Sequence, residues 1–210
     1  MVSAKAALIV TLVLVAAACG SPDTSAESTA TVRGDGPVTI PNQGGTSEGH
    51  TPTGFPGSGT GLFAGDNLNP SFPEGVGVQT FLTFALPADL TIGSATLTSD
   101  ALHTTGSPFD DLGPLLAEPV VYTKFGPELF DLPSSGQPIR CEVTADTIIE
   151  CDVTAAVQDA VDGGVTSVQF RLRFERPADN DGNPDLALFY RSDSNTNEPA
   201  LFNLTINTAP

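Results

Sequence analysis

The chain has 210 residues, of which 40% are hydrophobic, 8 are Lys or Arg and 25 are Asp or Glu, giving a formal net charge of −17. That apolar content excludes a wholly disordered polymer, and so acidic a surface excludes nucleic acid as a partner, because phosphate binding needs clustered Lys and Arg. The 21 glycines and 18 prolines, alongside frequent Thr, Val and Phe and scarce Lys and Met, favour short strands joined by many turns.

Residues 1–18 contain an apolar run from Ala6 to Ala18, with Lys5 on its N-terminal side and Cys19-Gly20-Ser21-Pro22 directly after it. The run is shorter than the ~20 apolar residues a transmembrane helix needs, and its flanks are those of an export signal. A cysteine immediately after small residues reads as a bacterial lipoprotein signal, cut before Cys19, whose thiol would carry a diacylglycerol. An ordinary secretory cut after Ala16-Ala17-Ala18 is the alternative and would leave Cys19 as an unpaired thiol. The expected location is extracytoplasmic, held to the bacterial cell envelope by the lipid. Gly20 rather than Asp follows the cysteine, so by analogy with Gram-negative sorting nothing retains the chain at an inner membrane, and the outer membrane or cell surface is expected.

Residues 19–61 are rich in Ser, Thr, Gly and Pro and poor in bulky apolar side chains, as in Ser25-Ala26-Glu27-Ser28-Thr29 and Gly44-Gly45-Thr46-Ser47. They read as a flexible tether that sets the folded part tens of ångströms from the membrane, with Val38-Thr39-Ile40 a transient strand. The folded domain is expected over 62–210. Val78 to Leu86 is rich in β-branched and aromatic residues on both faces and stops at Pro87, the pattern of a central strand. Thr91 to Ser99 alternates after a Pro-Ala-Asp turn, and Pro119 to Lys124 supplies a third strand.

Cys141 and Cys151 flank two short β-prone stretches around Ala145-Asp146, so a hairpin would set them opposite each other and a disulfide would staple it. One short helix is expected over Ala155 to Val161, capped by Asp152 or Thr154 and ended by Gly163-Gly164. Ser167 to Glu175 alternates strictly, with Val168, Phe170, Leu172 and Phe174 on one face and Gln169, Arg171, Arg173 and Glu175 on the other, the signature of a half-buried strand. Leu186 to Tyr190 and Ala200 to Ile206 complete the set. Short strands with long loops and one small helix predict an all-β chain, an antiparallel sandwich of jelly-roll type behind a disordered tether.

The order of several short motifs resembles a known family. Phe84-Ala85-Leu86-Pro87 ends a strand, Ile92-Gly93-Ser94-Ala95-Thr96-Leu97 follows, then Val121-Tyr122, Asp152-Val153-Thr154 before the helix, Arg171-Leu172-Arg173-Phe174, and Tyr190-Arg191-Ser192 with Glu198-Pro199-Ala200-Leu201 before the last strand. Over roughly residues 62 to 208 this order is similar to the DNRLRE-type β-sandwich domains of bacterial surface and secreted proteins, relatives of carbohydrate-binding modules. The resemblance implies a sandwich fold and a carbohydrate, a cell-surface or environmental polysaccharide, as ligand.

Asp179-Asn180-Asp181-Gly182-Asn183-Pro184-Asp185 is the sharpest chemical pattern. Asp179, Asp181, Asn183 and Asp185 offer alternating oxygen donors around a glycine turn, which suits a hard cation such as Ca²⁺. The sequence is also that of a polar turn between strands. Asp110-Asp111 is a second acidic patch. Sugar binding calls for exposed aromatics, for which Tyr122, Phe125, Tyr190 and Phe109 are the candidates. No nucleophile elbow, zinc-protease helix or phosphate-binding glycine loop occurs in the sequence. The function expected is therefore a non-catalytic, membrane-anchored binding or structural module, for which the resemblance alone implies carbohydrate binding as the specific activity. The alternatives are a calcium-stabilised structural module of the envelope and, with less support, a polysaccharide-cleaving enzyme using paired carboxylates.

Overall fold

The computed structural model describes residues 36–42, 49–50, 62–66, 77–124, 127–144, 148–193, 196–199 and 202–209. The export segment 1–18, Cys19, the Ala145-Asp146 turn and Phe125 lie outside the described residues, and of Tyr190 only the backbone is described. The strands are β1 (Val38–Pro41), β2 (Gly49–His50), β3 (Leu62–Asp66), β4 (Gln79–Ala85), β5 (Ile92–Ser99), β6 (His103–Thr105), β7 (Leu115–Val120), β8 (Ile139–Val143), β9 (Ile149–Asp152), β10 (Ser167–Phe174), β11 (Asp185–Asp193), β12 (Thr196–Pro199) and β13 (Phe202–Thr208). Two helices, α1 (Pro108–Asp111) and α2 (Thr154–Asp162), and a 3-10 turn at Pro127–Leu129 accompany them.

Nine strands form one sheet in the order β1-β13-β5-β9-β8-β7-β10-β4-β2, and β12-β11-β3 form a second, with β6 also paired to β11. Every pairing between these strands is antiparallel. The large sheet curls nearly closed, and reciprocal hydrogen bonds between Gly65 and Val78 join the small sheet to it. Gly65 sits at φ 126°, and a Cβ there would stand 2.1 Å from the Asp185 carbonyl oxygen, so only glycine lets β3 approach β11 this closely. The all-β antiparallel sandwich expected from the sequence is the architecture found.

The alternation of β10 does what its period requires: Val168, Phe170, Leu172 and Phe174 all enter the main core, beside Leu82, Phe84, Leu97, Phe189 and Phe202. Each such side chain contributes about 1.5–3 kcal/mol on burial. β4 is central, between β10 and β2, and both its faces are covered. Leu82 and Phe84 point into the main core, while Phe81 joins Val120 and Leu129 in a second cluster on the other side, against Tyr122 and Leu132. Cys141 and Cys151 are direct partners across β8 and β9, 4.3 Å apart at Cα, and are joined by a disulfide.

Four expectations shift. Residues 38–41, read as part of the tether, pair with β13 from Val38↔Ile206 to Pro41↔Asn203, with Ile40 buried, and Gly49–His50 pairs with β4. The sheet therefore draws on residues N-terminal to 62, because its two edges offer unpaired backbone groups to short strands from that segment. The third strand runs Leu115–Val120 rather than Pro119–Lys124. Pro119 is tolerated inside it: its carbonyl accepts from the Ser135 N–H at 2.8 Å and from Ser134 Oγ, so this side of the residue faces a loop, where the missing N–H breaks no ladder bond. A second helix, the single turn α1, joins the expected one. At α2, the N-cap residue is Val153, without a side-chain cap; Asp152 instead accepts from the Thr154 N–H at 3.1 Å and hydroxyl at 2.6 Å.

Candidate functional site

The loop between β10 and β11 is shaped by its own polar side chains. Asp179 Oδ1 accepts from the Asp181 N–H at 3.1 Å, and Asp181 Oδ1 accepts from the Asn183 N–H at 2.7 Å. Asn180 (φ 63°) and Gly182 (φ 82°) take the left-handed conformations between them. The result turns Asp179, Asp181 and Asp185 toward one point, with one oxygen from each within 4.8 Å of the others. Asn183, expected as a fourth ligand, donates its side-chain amide to Asp181 Oδ2 at 2.7 Å and so orients that carboxylate. These two Asn183 hydrogen bonds, side chain first and backbone second, hold the Asp181 carboxyl below the usual carboxylate range.

Asp185 is buried at the start of β11 and accepts from the Ser107 N–H at 2.6 Å, tying the loop to the segment that opens α1. Gly106 (φ 67°) makes room for this contact, since a Cβ there would fall 2.2 Å from Asp185 Oδ1. The tie brings the second acidic patch to the first. Lost hydration and then the charges of Asp185, Asp179, Asp181 and Asp110 push the Asp111 carboxyl above its ordinary value. Among the described residues, none of these aspartates forms an ion pair; the salt bridges run from Arg140 to Glu142 and from Arg171 and Arg173 to Glu118.

The donor set fits a hard cation. Ca²⁺ takes six to eight oxygens at about 2.3–2.6 Å, so two ligands of one ion lie at most about 5 Å apart. Three carboxylates within 4.8 Å of one another meet that limit, and the cluster lacks the nitrogen and sulfur donors that zinc favours.

A second charged group was read from sequence only as a polar strand face. Arg171 on β10 is buried and stands opposite Glu118 on β7. Its Nε donates to Glu118 Oε2 at 2.9 Å, its Nη2 donates to the same oxygen, and its Nη1 donates to the carbonyls of Phe130 and Leu132 at 3.1 and 2.9 Å. Arg173 Nη2 donates to Glu118 Oε1 at 2.6 Å, and its Nη1 to the carbonyls of Phe174 and Glu175. Burial alone would raise the Glu118 carboxyl; the hydrogen bonds from Arg173 and Arg171 outweigh it and hold the group below its ordinary value. The segment Phe130–Leu132 covers this face of β10, and the only signal for it in the sequence was an Arg-x-Arg pair inside a strand preceded by a lone Glu between Ala117 and Pro119.

The aromatic candidates scatter. Tyr122 is half-buried, its ring edge-on to Phe81 at 5.9 Å and its hydroxyl 3.0 Å from Thr83 Oγ1. Its N–H donates to Gln169 Oε1 at 2.9 Å. It is a bracket on the second cluster rather than an open platform. Phe109 packs at 5.2 Å against Phe174 and plugs one end of the main core. Among the described residues no helix is long and apolar enough to cross a membrane. No protein-family model matches the chain, and no curated protein matches it at a significant level.

Proposed function

We propose that the chain is an exported, membrane-anchored and non-catalytic β-sandwich module of the bacterial envelope, braced at its β10–β11 loop by one Ca²⁺. The observation that carries this reading is the convergence of Asp179, Asp181 and Asp185 on one point, tied through the Ser107 N–H to the segment that carries Asp111. Four like charges without a basic partner among the described residues repel one another, and a divalent cation is the simplest group that turns this repulsion into a tie between loop and helix. The Cys141–Cys151 disulfide supports export to an oxidising compartment, and it leaves Cys19 as the one thiol over, available for the lipid. The test is thermal unfolding of the purified full chain in EDTA and in millimolar CaCl₂. A higher Tm with calcium is expected, lost in Asp181→Asn; identical melting curves in both buffers would refute the brace. Anchoring is checked separately by Cys19→Ser, which should move the protein from the membrane to the soluble fraction.

A second reading, binding of a carbohydrate, is favoured by a cavity beside Arg173 that sets the polar Gln79, Arg171 and Arg173 against apolar side chains. Retention on a polysaccharide panel, with and without calcium, tests it.

A further inference from the structure

A cavity of about 230 Å³ lies between Gly65, Val78 and Gln79 on one side and Arg171, Arg173 and Phe174 on the other, with Phe130, Leu132 and Pro177 completing its apolar wall and Asp131 also lining it. Drug-sized ligands fill sites of about 300–1,000 Å³, so this space suits a single small molecule. Two features of its wall are incomplete.

The first is electrical. Two guanidinium groups meet one carboxylate at the back of the cavity. Asp131 is exposed and, among the described residues, forms no ion pair with either arginine. Arg173 also keeps donors in reserve. A guanidinium carries five N–H groups, and the contacts to Phe174, Glu175 and Glu118 engage only Nη1 and one hydrogen of Nη2. Two guanidiniums against one carboxylate, with Arg171 buried, leave a net positive charge at this wall that favours the approach of an anion.

The second is a missing donor. Gln79 lines the same cavity with only 6% of its surface exposed, and its Oε1 is buried with no hydrogen-bond partner. A buried acceptor left unpaired costs about 1–3 kcal/mol, and a ligand hydroxyl would remove that cost.

A ligand that answers both features carries a carboxylate for Arg173, a hydroxyl for Gln79 and a compact body for the apolar wall. We infer that the cavity binds a polyhydroxy carboxylate about the size of one sugar ring, a hexuronic acid being the form that fits the carbohydrate reading on which this ligand class rests. The chain would then select acidic over neutral sugars, although its own surface is acidic. The cationic back wall supplies the local field that the net charge does not.

The test is calorimetric titration of the purified full chain with D-glucuronate, D-glucose and cyclohexanecarboxylate, which remove in turn nothing, the charge and the hydroxyls. D-Glucuronate should bind at about 1 mM or tighter, and each control about tenfold or more weaker. Arg173→Gln should lose about tenfold in glucuronate affinity. Gln79→Leu should lose a similar factor while melting at or above the parent temperature, because it replaces an unsatisfied acceptor by an apolar side chain. That rise separates a ligand group from a merely structural one. Binding of neither sugar would overturn this inference, and the carbohydrate reading falls with it if the polysaccharide panel also retains nothing. Equal binding of glucose and glucuronate would overturn the inference alone, as would cyclohexanecarboxylate binding as well as glucuronate or Gln79→Leu binding like the parent.

Discussion

Glu118 and the aspartates of the β10–β11 loop carry the same functional group in opposite circumstances. Glu118 is buried between two arginines that take both of its oxygens, so its charge is answered within the fold. Asp179, Asp181 and Asp185 meet one another, their charges act on Asp111, and no described basic residue pairs with them. The two groups are near neighbours in the chain, since β10 carries Arg171 and Arg173 and the loop follows it directly. A carboxylate paired inside the fold is a structural member. Carboxylates gathered without a counter-charge leave an interaction open for something outside the chain.

The largest effect should come from breaking the closed group. Glu118→Ala strands two guanidinium groups, one of them buried, and should lower unfolding free energy by about 3–5 kcal/mol in a denaturant titration. A loss below about 1 kcal/mol would show that water reaches the pair and that its closure is only apparent. Next comes the open group. If calcium binds, a concentration about 100-fold above its Kd should add about 2.7 kcal/mol, and Asp185→Asn should remove most of this gain. Magnesium should give less, because it demands a more regular shell than a loop of this kind supplies.

The two groups also answer pH with opposite sign. The folded pKa of Glu118 is lowered, so its stabilising contribution is present above the ordinary carboxyl range near pH ~4 and is lost as pH falls through the lowered value. The folded pKa of Asp111 is raised, so its contribution is present below that range and is lost as pH rises through the raised value. In EDTA, stability measured from acid toward neutral pH should therefore climb with Glu118, and Asp111→Asn should make the climb steeper; a slope unchanged by Asp111→Asn would place Asp111 outside the cluster's field. The smallest effect is that of Asp111→Asn itself at neutral pH in EDTA, a gain within about 0.5 kcal/mol, paired with weaker calcium binding.

Much of the fold was legible because the sandwich obeys local rules. The period-two pattern of β10, the apolar faces of β4, the flanking cysteines of the β8–β9 hairpin and the Gly163-Gly164 stop of α2 each encode their own structure over a few residues. The loop aspartates were legible for the same reason, since Asx turns and left-handed glycine are short-range chemistry. Arg171 was misread as a residue of a solvent face. The alternation tells which residues oppose one another across a strand, but not that Phe130–Leu132 folds over the second face and supplies two carbonyls to its guanidinium. Likewise Val38-Thr39-Ile40 read only as a transient strand within the tether, because so short a stretch is held in place by its pairing with β13, far away in sequence.

By itself, then, the sequence determined the all-β class, the hairpin disulfide, the principal buried strand face and the acidic loop, all of which rest on residues within about ten positions of one another. Only the tertiary structure decided which charges are answered and which are not: it set Glu118 against two arginines 53 and 55 positions away, tied the segment that opens α1 to the loop through the Asp185–Ser107 contact 78 positions long, and left Gln79 facing a cavity. The reason is physical. Propensity and pattern act along the chain, whereas desolvation and Coulomb energy depend on distance in space, and that distance exists only once the sheets have closed.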